Sequence, residues 1–236
     1  MTEWVESLAL RAHENLPDQI REALWSRGVS DGQIDLYRIG WLDSSLPEGP
    51  SYGSDFIGWW ENNRWQLDDV LVFPLTNTLG HMRGLQFRHV DRARKGYLDY
   101  FAAKDEAVFF GLGQAAPYMW ASESVWLVEG NFDLLPLQRH RPNIVSTLHA
   151  GVPNQLWRVL RRLVSKVYIA YDNDSTGRDV AYEIVKDKRE YFEFKIVKVP
   201  PAPLRSGRVA TDPNELWESW GDARLGVFLN RIDPLS

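Results

Sequence analysis

The sequence predicts an α/β protein: an α+β N-terminal subdomain followed by a parallel sheet with helices on both faces. Three observations carry this prediction. From Ser124 onward, four apolar runs of strand length (VWLVEG, NIVSTLHAG, KVYIAYDND and EFKIVKVP) alternate with helix-compatible FDLLPLQRH, PNQLWRVLRRLV and TGRDVAYEIVKDKREY. Nearly continuous apolar strands alternating with helices are the pattern of a parallel sheet buried on both sides. Before that point the texture differs, with amphipathic helices, a Gly/Pro-rich aromatic stretch and a hairpin. Finally, 236 residues with 44% apolar and 25% charged side chains suit a folded chain of one large domain or two smaller ones. The texture change sets the expected division at residues 1–120 and 121–236.

Taken in order, LPDQIREALWSRG places Ile20, Leu24 and Trp25 at helical spacing and stops at Gly28. Ser30 with Gln33 three residues later is a capping-box signature, opening a helix through Ile34 and Tyr37 toward Gly40. Residues 41–66 read as a loop, because Pro47, Gly49, Pro50, Gly53 and Gly58 punctuate them. DVLVFPL, the turn TNTLGH and MRGLQFRHV read as a hairpin, followed by a less regular segment to about Met119. There are no internal repeats and no low-complexity tract.

Composition excludes several classes of protein. Zero cysteine removes disulfides, thiolate catalysis, iron–sulfur clusters and any cysteine zinc site. No apolar run approaches the roughly 18 residues of a membrane span, and the opening MTEWVESLALRAHENL lacks the pattern of a signal peptide. The expectation is a soluble intracellular protein without a membrane partner. The net charge of -5 argues against coating nucleic acid, yet it is unevenly spread. Residues 1–77 hold 5 basic and 13 acidic side chains, whereas residues 78–104 hold Arg83, Arg88, Arg92, Arg94, Lys95 and Lys104 against only Asp91 and Asp99. Such a basic island is either a solvated strip or a phosphate-binding face.

The chemistry sits at the ends of the predicted parallel strands. Glu129 and Gly130 follow VWLV, with Asp133 a helical turn on, and Asp172 and Asp174 follow VYIAY. Loops leaving the carboxyl ends of parallel strands form the ligand crevice of open sheets. A set of acids delivered to one edge is the outline of a Mg²⁺ site, since that ion takes hard oxygens from one or two carboxylates plus substrate phosphates. TDPNELW, after the fourth strand, can bring Asp212 to the same rim. DNDSTG also nearly spells a calcium loop, but the preceding VYIAY is a strand pattern and Asp179 stands where an apolar residue packs, so an EF-hand is rejected.

VEGNFDLL followed downstream by AYDNDSTGRDVA resembles the Toprim domain shared by bacterial-type (DnaG-like) primases, topoisomerases and some nucleases, over about residues 122–220. WSRGVSDGQIDLYRIGWL, VFPLTNTLGHMRGLQFRHV, KGYLDY, FFGL and DPNEL resemble segments of the DnaG-like primase polymerase domain in the same order, from about residue 17. The resemblance implies a Rossmann-like Toprim sheet whose metal acids match Glu129, Asp172 and Asp174, with Asp133 and Asp212 in support. It implies template or nucleotide contacts from Arg27, Arg88 and Tyr97, joined by Arg83, Lys95 and Lys104 of the basic island. Departures are Gly96 before Tyr97 where the family has lysine, Asp99 for asparagine, Asn214 for an acid, and no counterpart of the zinc-binding or helicase-interacting domains.

The expected activity is therefore that of a DNA primase, making short RNA on a single-stranded DNA template from ribonucleoside triphosphates with Mg²⁺ or Mn²⁺. Expected partners include a replicative helicase or a separate zinc-module chain, in the cytoplasm of a bacterium or a phage-infected host. A Toprim nuclease and a single-strand-binding module without turnover are the competing expectations.

Overall fold

Two sheets of opposite character organise the chain in the computed structural model, which describes residues 3–43, 45–47, 51–91, 94 and 96–233. They belong to two units, Met1–Val108 and Phe109–Ser236.

The first unit opens with helices α1 (Glu3–Glu14), α2 (Asp18–Ser26) and α3 (Asp31–Tyr37). The capping box forms as expected: the Ser30 hydroxyl accepts from Gln33 N and the Gln33 side chain accepts from Ser30 N. Helix α3 does not reach Gly40. It stops when Arg38 turns left-handed (φ 52), and Gly40 instead starts strand β1 (Gly40–Leu42). A Cβ there would lie 2.5 Å from the Ala12 carbonyl carbon, so glycine lets β1 approach α1.

The expected loop over 41–66 contains helix α4 (Ser54–Asn63). Its glycines mislead, because Gly53 is the N-cap and the i, i+4 pair Phe56 and Trp60 is fully buried. Phe56 packs 4.4 Å from the Trp4 ring and 4.9 Å from Tyr100, and burying each such aromatic outweighs the ~1 kcal/mol cost of Gly58 in a helix.

Strands β2 (Val70–Thr76) and β3 (Met82–His89) form the predicted hairpin, closed by Asn77 N to His81 O. The segment expected to be irregular begins with a further strand, β4 (Tyr97–Phe101), paired with β3 from Gly84↔Phe101 to Arg88↔Tyr97. The antiparallel order is β1-β2-β3-β4.

The division falls at Val108/Phe109 rather than near residue 120. Phe110 already bridges Ser146 of the parallel sheet, and helix α5 (Leu112–Ser122) packs on that sheet, so residue 120 lies inside a helix of the second unit. There, β5 (Ser124–Val128), α6 (Asn131–Gln138), β6 (Ile144–Ser146), α7 (Asn154–Leu163), β7 (Lys166–Ile169), α8 (Ser175–Lys188), β8 (Glu193–Ile196) and α9 (Pro213–Ile232) follow the predicted alternation. These four strands pair in parallel, in the order β6-β5-β7-β8. Trp126 and Tyr168, cross-strand partners on β5 and β7, stack at 4.6 Å and 7°, worth roughly 1 kcal/mol beyond their burial. From β5 the chain moves outward to β6, then crosses back to β7 on the other side, so the switch in direction lies between β5 and β7. That gap is where open parallel sheets hold ligands.

Candidate functional site

Glu129 leaves the end of β5 with its carbonyl held by the Ser146 hydroxyl at 3.1 Å. Asp172 follows β7, and its backbone N donates to Glu129 Oε1 at 3.3 Å, so the Glu129 carboxylate reaches across the switch point to the Asp172 main chain. Asp174 caps α8, accepting from Gly177 N at 2.8 Å. Gly177 explains why this turn ends in glycine. A Cβ there would overlap the Asp172 carbonyl oxygen and lie 2.8 Å from Glu129 Oε1. The first turn of α8 therefore rests directly on both acids' loop.

Burial raises the Asp172 carboxyl to about 7, with the charges of Glu129, Asp212, Asp174 and Glu215 adding to it. Its Oδ1 is buried and has no hydrogen-bond partner among the described residues. Burial likewise raises Glu129, against the Asp172 N–H that lowers it, and Asp174 pushes in the same upward direction. Two carboxylates held this close favour a proton or a cation between them.

The structure thus brings Glu129, Asp172 and Asp174 to one rim, with Asp212 near enough for Asp172 to feel its charge. Asp133 is engaged in local structure: Oδ2 accepts from Gly130 N at 3.2 Å and Oδ1 from Asn214 N at 3.4 Å. Asp212 caps α9, accepting from Glu215 N at 2.6 Å. Among the described residues, no three His, Cys, Asp or Glu side chains form a ready-made metal cage. A pair of carboxylates with an orphaned buried oxygen still fits an ion that draws its remaining ligands from water and substrate phosphate.

The basic residues do not form one face. Arg88 lies over the Tyr97 ring at 4.9 Å, beside the Gln86–Asp99 hydrogen bond of 2.8 Å. Arg83 is an odd number of residues away, in the row of Leu85 and Phe87, and it pairs with Glu106 at 3.8 Å. Side-chain alternation in β3 therefore separates Arg83 from Arg88. Arg27 is half-buried after α2, Lys104 is exposed in a turn, and Lys95 lies outside the described residues.

Sequence reasoning missed Gly177 as a spacer, Ser146 as the Glu129 anchor, and Asn173. Asn173 N donates to Thr211 O at 2.6 Å and its Nδ2 to Val199 O at 3.4 Å, tying the acid loop to the segment before α9. Buried Tyr171, hydrogen-bonded to Thr147 Oγ1 at 3.1 Å and donating to Gly151 O at 3.3 Å, holds the neighbouring loop. Its hydroxyl is raised by burial. Of these, only Gly177 left a local signal, as the closing residue of DNDSTG.

Residues 126–216, which carry these acids at the parallel-sheet switch point, match a family model described as Toprim-like. Beyond that domain, the chain is a relative of DnaG-type primases and has the fold of their catalytic core. It is 30% identical over 174 residues to the DNA primase of Aquifex aeolicus, covering 70% of this chain and 33% of that protein. A solved structure described as the DnaG primase catalytic domain bound to ssDNA superposes with a TM-score of 0.71 at 19% identity, covering 98% of this chain and 78% of that one. An uncharacterized protein of Mycoplasma genitalium is 28% identical over 214 residues, covering 85% of this chain and 87% of its own length. The chain thus spans about a third of the Aquifex primase and most of the Mycoplasma protein. No helix among the described residues is long and apolar enough to cross a membrane.

Proposed function

We propose that the chain is a DNA primase, a nucleotidyltransferase that joins ribonucleotides on a single-stranded DNA template. The observation that carries this reading is the Glu129–Asp172 pair at the switch point, with a buried unpartnered Asp172 Oδ1. Glu129 and Asp172 would hold Mg²⁺ or Mn²⁺, with Asp174 and Asp212 adding negative field. When bound, such an ion neutralises a triphosphate and lowers the pKa of an attacking hydroxyl.

The chain's own contribution is positioning. Ser146 and Asp172 N fix Glu129 by its carbonyl and its carboxylate, and Gly177 fixes how closely α8 approaches them. Orientation of this kind supplies much of the rate where the bond-making atoms belong to the substrates. Arg88, stacked on half-exposed Tyr97, offers a cation and an aromatic face to a strand. A replicative helicase, a zinc-module chain and a cytoplasmic setting belong to the same reading.

The test is primer synthesis on defined single-stranded templates with all four ribonucleotides, with and without Mg²⁺ or Mn²⁺. RNA products that appear with metal and disappear in Asp172→Asn support the reading; their absence from the wild-type protein overturns it. Shortening of labelled strands without nucleotides would assign the same acids to a nuclease.

A further inference from the structure

Residues 201–210, between the fourth apolar run and TDPNELW, had no role in the sequence. They hold a regular hairpin. Ala210 N donates to Ala202 O and Leu204 N to Arg208 O, both at 2.8 Å, and Pro203 bridges Val209. Gly207 N closes the turn onto Leu204 O at 3.0 Å with φ +82, the three-residue hairpin geometry that needs glycine at its left-handed position.

The hairpin is bolted to the acid loop. Asn173, between Asp172 and Asp174, donates to Val199 O before the hairpin and to Thr211 O after it. On the α9 side, the Ser219 hydroxyl donates to Pro203 O at 2.9 Å, and Glu215 accepts from Thr211 N at 2.9 Å and from Arg208 Nη2 at 2.8 Å.

What this frame presents is positive. Arg205 and Arg208 are exposed at the turn, and Arg205 has no ion-pair partner among the described residues. Exposed Arg178 donates to Asn173 O at 2.9 Å, and with Lys198 it lines a small pocket beside Asp172, Gly177 and Tyr182. Arg208 serves the turn by its Glu215 pair, whereas a turn built only to connect β8 to α9 does not need Arg205. Two cations beside Asp172, and two more on a hairpin whose flanks are tied to the same loop, suit a ligand whose negative charge extends past the acids' own ion, and guanidinium forks match phosphate oxygens.

We infer that the 202–210 hairpin is a phosphate-contacting arm of this site, with Arg205 as its principal contact. The inference rests on the phosphoryl-transfer reading above. The phosphate can come from a nucleic-acid backbone or from a nucleoside triphosphate, and the experiment separates the two.

Arg205→Ala, Arg205→Glu and the double Arg205→Ala/Arg208→Ala variant are compared with wild type in two titrations. One uses a fluorescein-labelled oligodeoxythymidylate over a salt series, and the other uses ATP with Mn²⁺. If the strand is the ligand, the double variant binds the oligonucleotide about 10-fold more weakly, and the slope of log K against log salt falls by about 1–2. Arg205→Glu weakens it further. If the triphosphate is the ligand, oligonucleotide binding is unchanged and the loss appears with ATP. Variants that match wild type in both titrations overturn the arm while the primase reading stands. A wild-type protein that binds neither probe and makes no primer overturns both. Should the double variant fail to melt cooperatively, Arg205→Ala carries the test, since it removes no described contact.

Discussion

The two sheets treat their functional side chains in opposite ways. In the parallel sheet, acids that follow different strands arrive at one rim, because every strand points the same way and every carboxyl end lies on the same edge. In the antiparallel sheet, residues along one strand alternate between faces, so Arg83 turns to Glu106 while Arg88 meets Tyr97 on the other side. A functional set is thus gathered by strand direction in the first case and divided by the pleat in the second.

The strongest way to break this contrast is at the acids. Asp172→Asn and Glu129→Gln should each lower nucleotide incorporation by about 10³-fold, the scale for removing a main electrostatic element, with unchanged circular dichroism. Activity within 10-fold of wild type would detach the rim from the chemistry. Gly177→Ala comes next. Its methyl must displace the Asp172 carbonyl or the Glu129 carboxylate, so activity should fall about 100-fold with a stability loss of about 2–3 kcal/mol by chemical denaturation.

On the antiparallel side the effects should be smaller and unequal. Arg88→Ala should weaken binding of a labelled single strand about 5–10-fold, consistent with a cation stacked on a tyrosine. Arg83→Ala, on the other face, should change binding less than twofold. Equal losses from both would mean that the sheet does not sort them.

A subtler test uses protons. Asp172 is raised by burial in the folded state, to about 7, so the native protein keeps a proton that the unfolded chain releases near pH 4. More protons in the native than in the unfolded state means that stability falls as pH rises, here between about pH 4 and pH 7. In EDTA, Asp172→Asn should reduce this slope, leaving the part that raised Glu129 contributes, and be more stable than wild type at pH 8, by about 2 kcal/mol, when melting is followed at pH 4 and pH 8.

The parallel unit was readable because its strands are nearly continuous apolar runs that end in acids, both of which are local patterns. The Ser30 capping box was local too. What escaped is held by partners distant in sequence. Helix α4 is decided by Phe56 reaching Trp4 and Tyr100, against its own glycines. Strand β4 is decided by its ladder to β3, and the unit boundary by Phe110 joining Ser146. Within the site, Asn173 read as a polar spacer between two acids, because its partners Val199 and Thr211 lie beyond an intervening helix and strand.

Gly177 has one more consequence. With no side chain at this point of α8, the gap between the helix and the Asp172 carbonyl is gauged by main chain pressed against main chain, with the Glu129 carboxylate beside it. Rotamer hopping in the surrounding core cannot widen such a gap, and only lifting the whole helix can. The core beneath the acids is therefore free to exchange one apolar residue for another of similar size, while the spacing that the chemistry depends on stays the same.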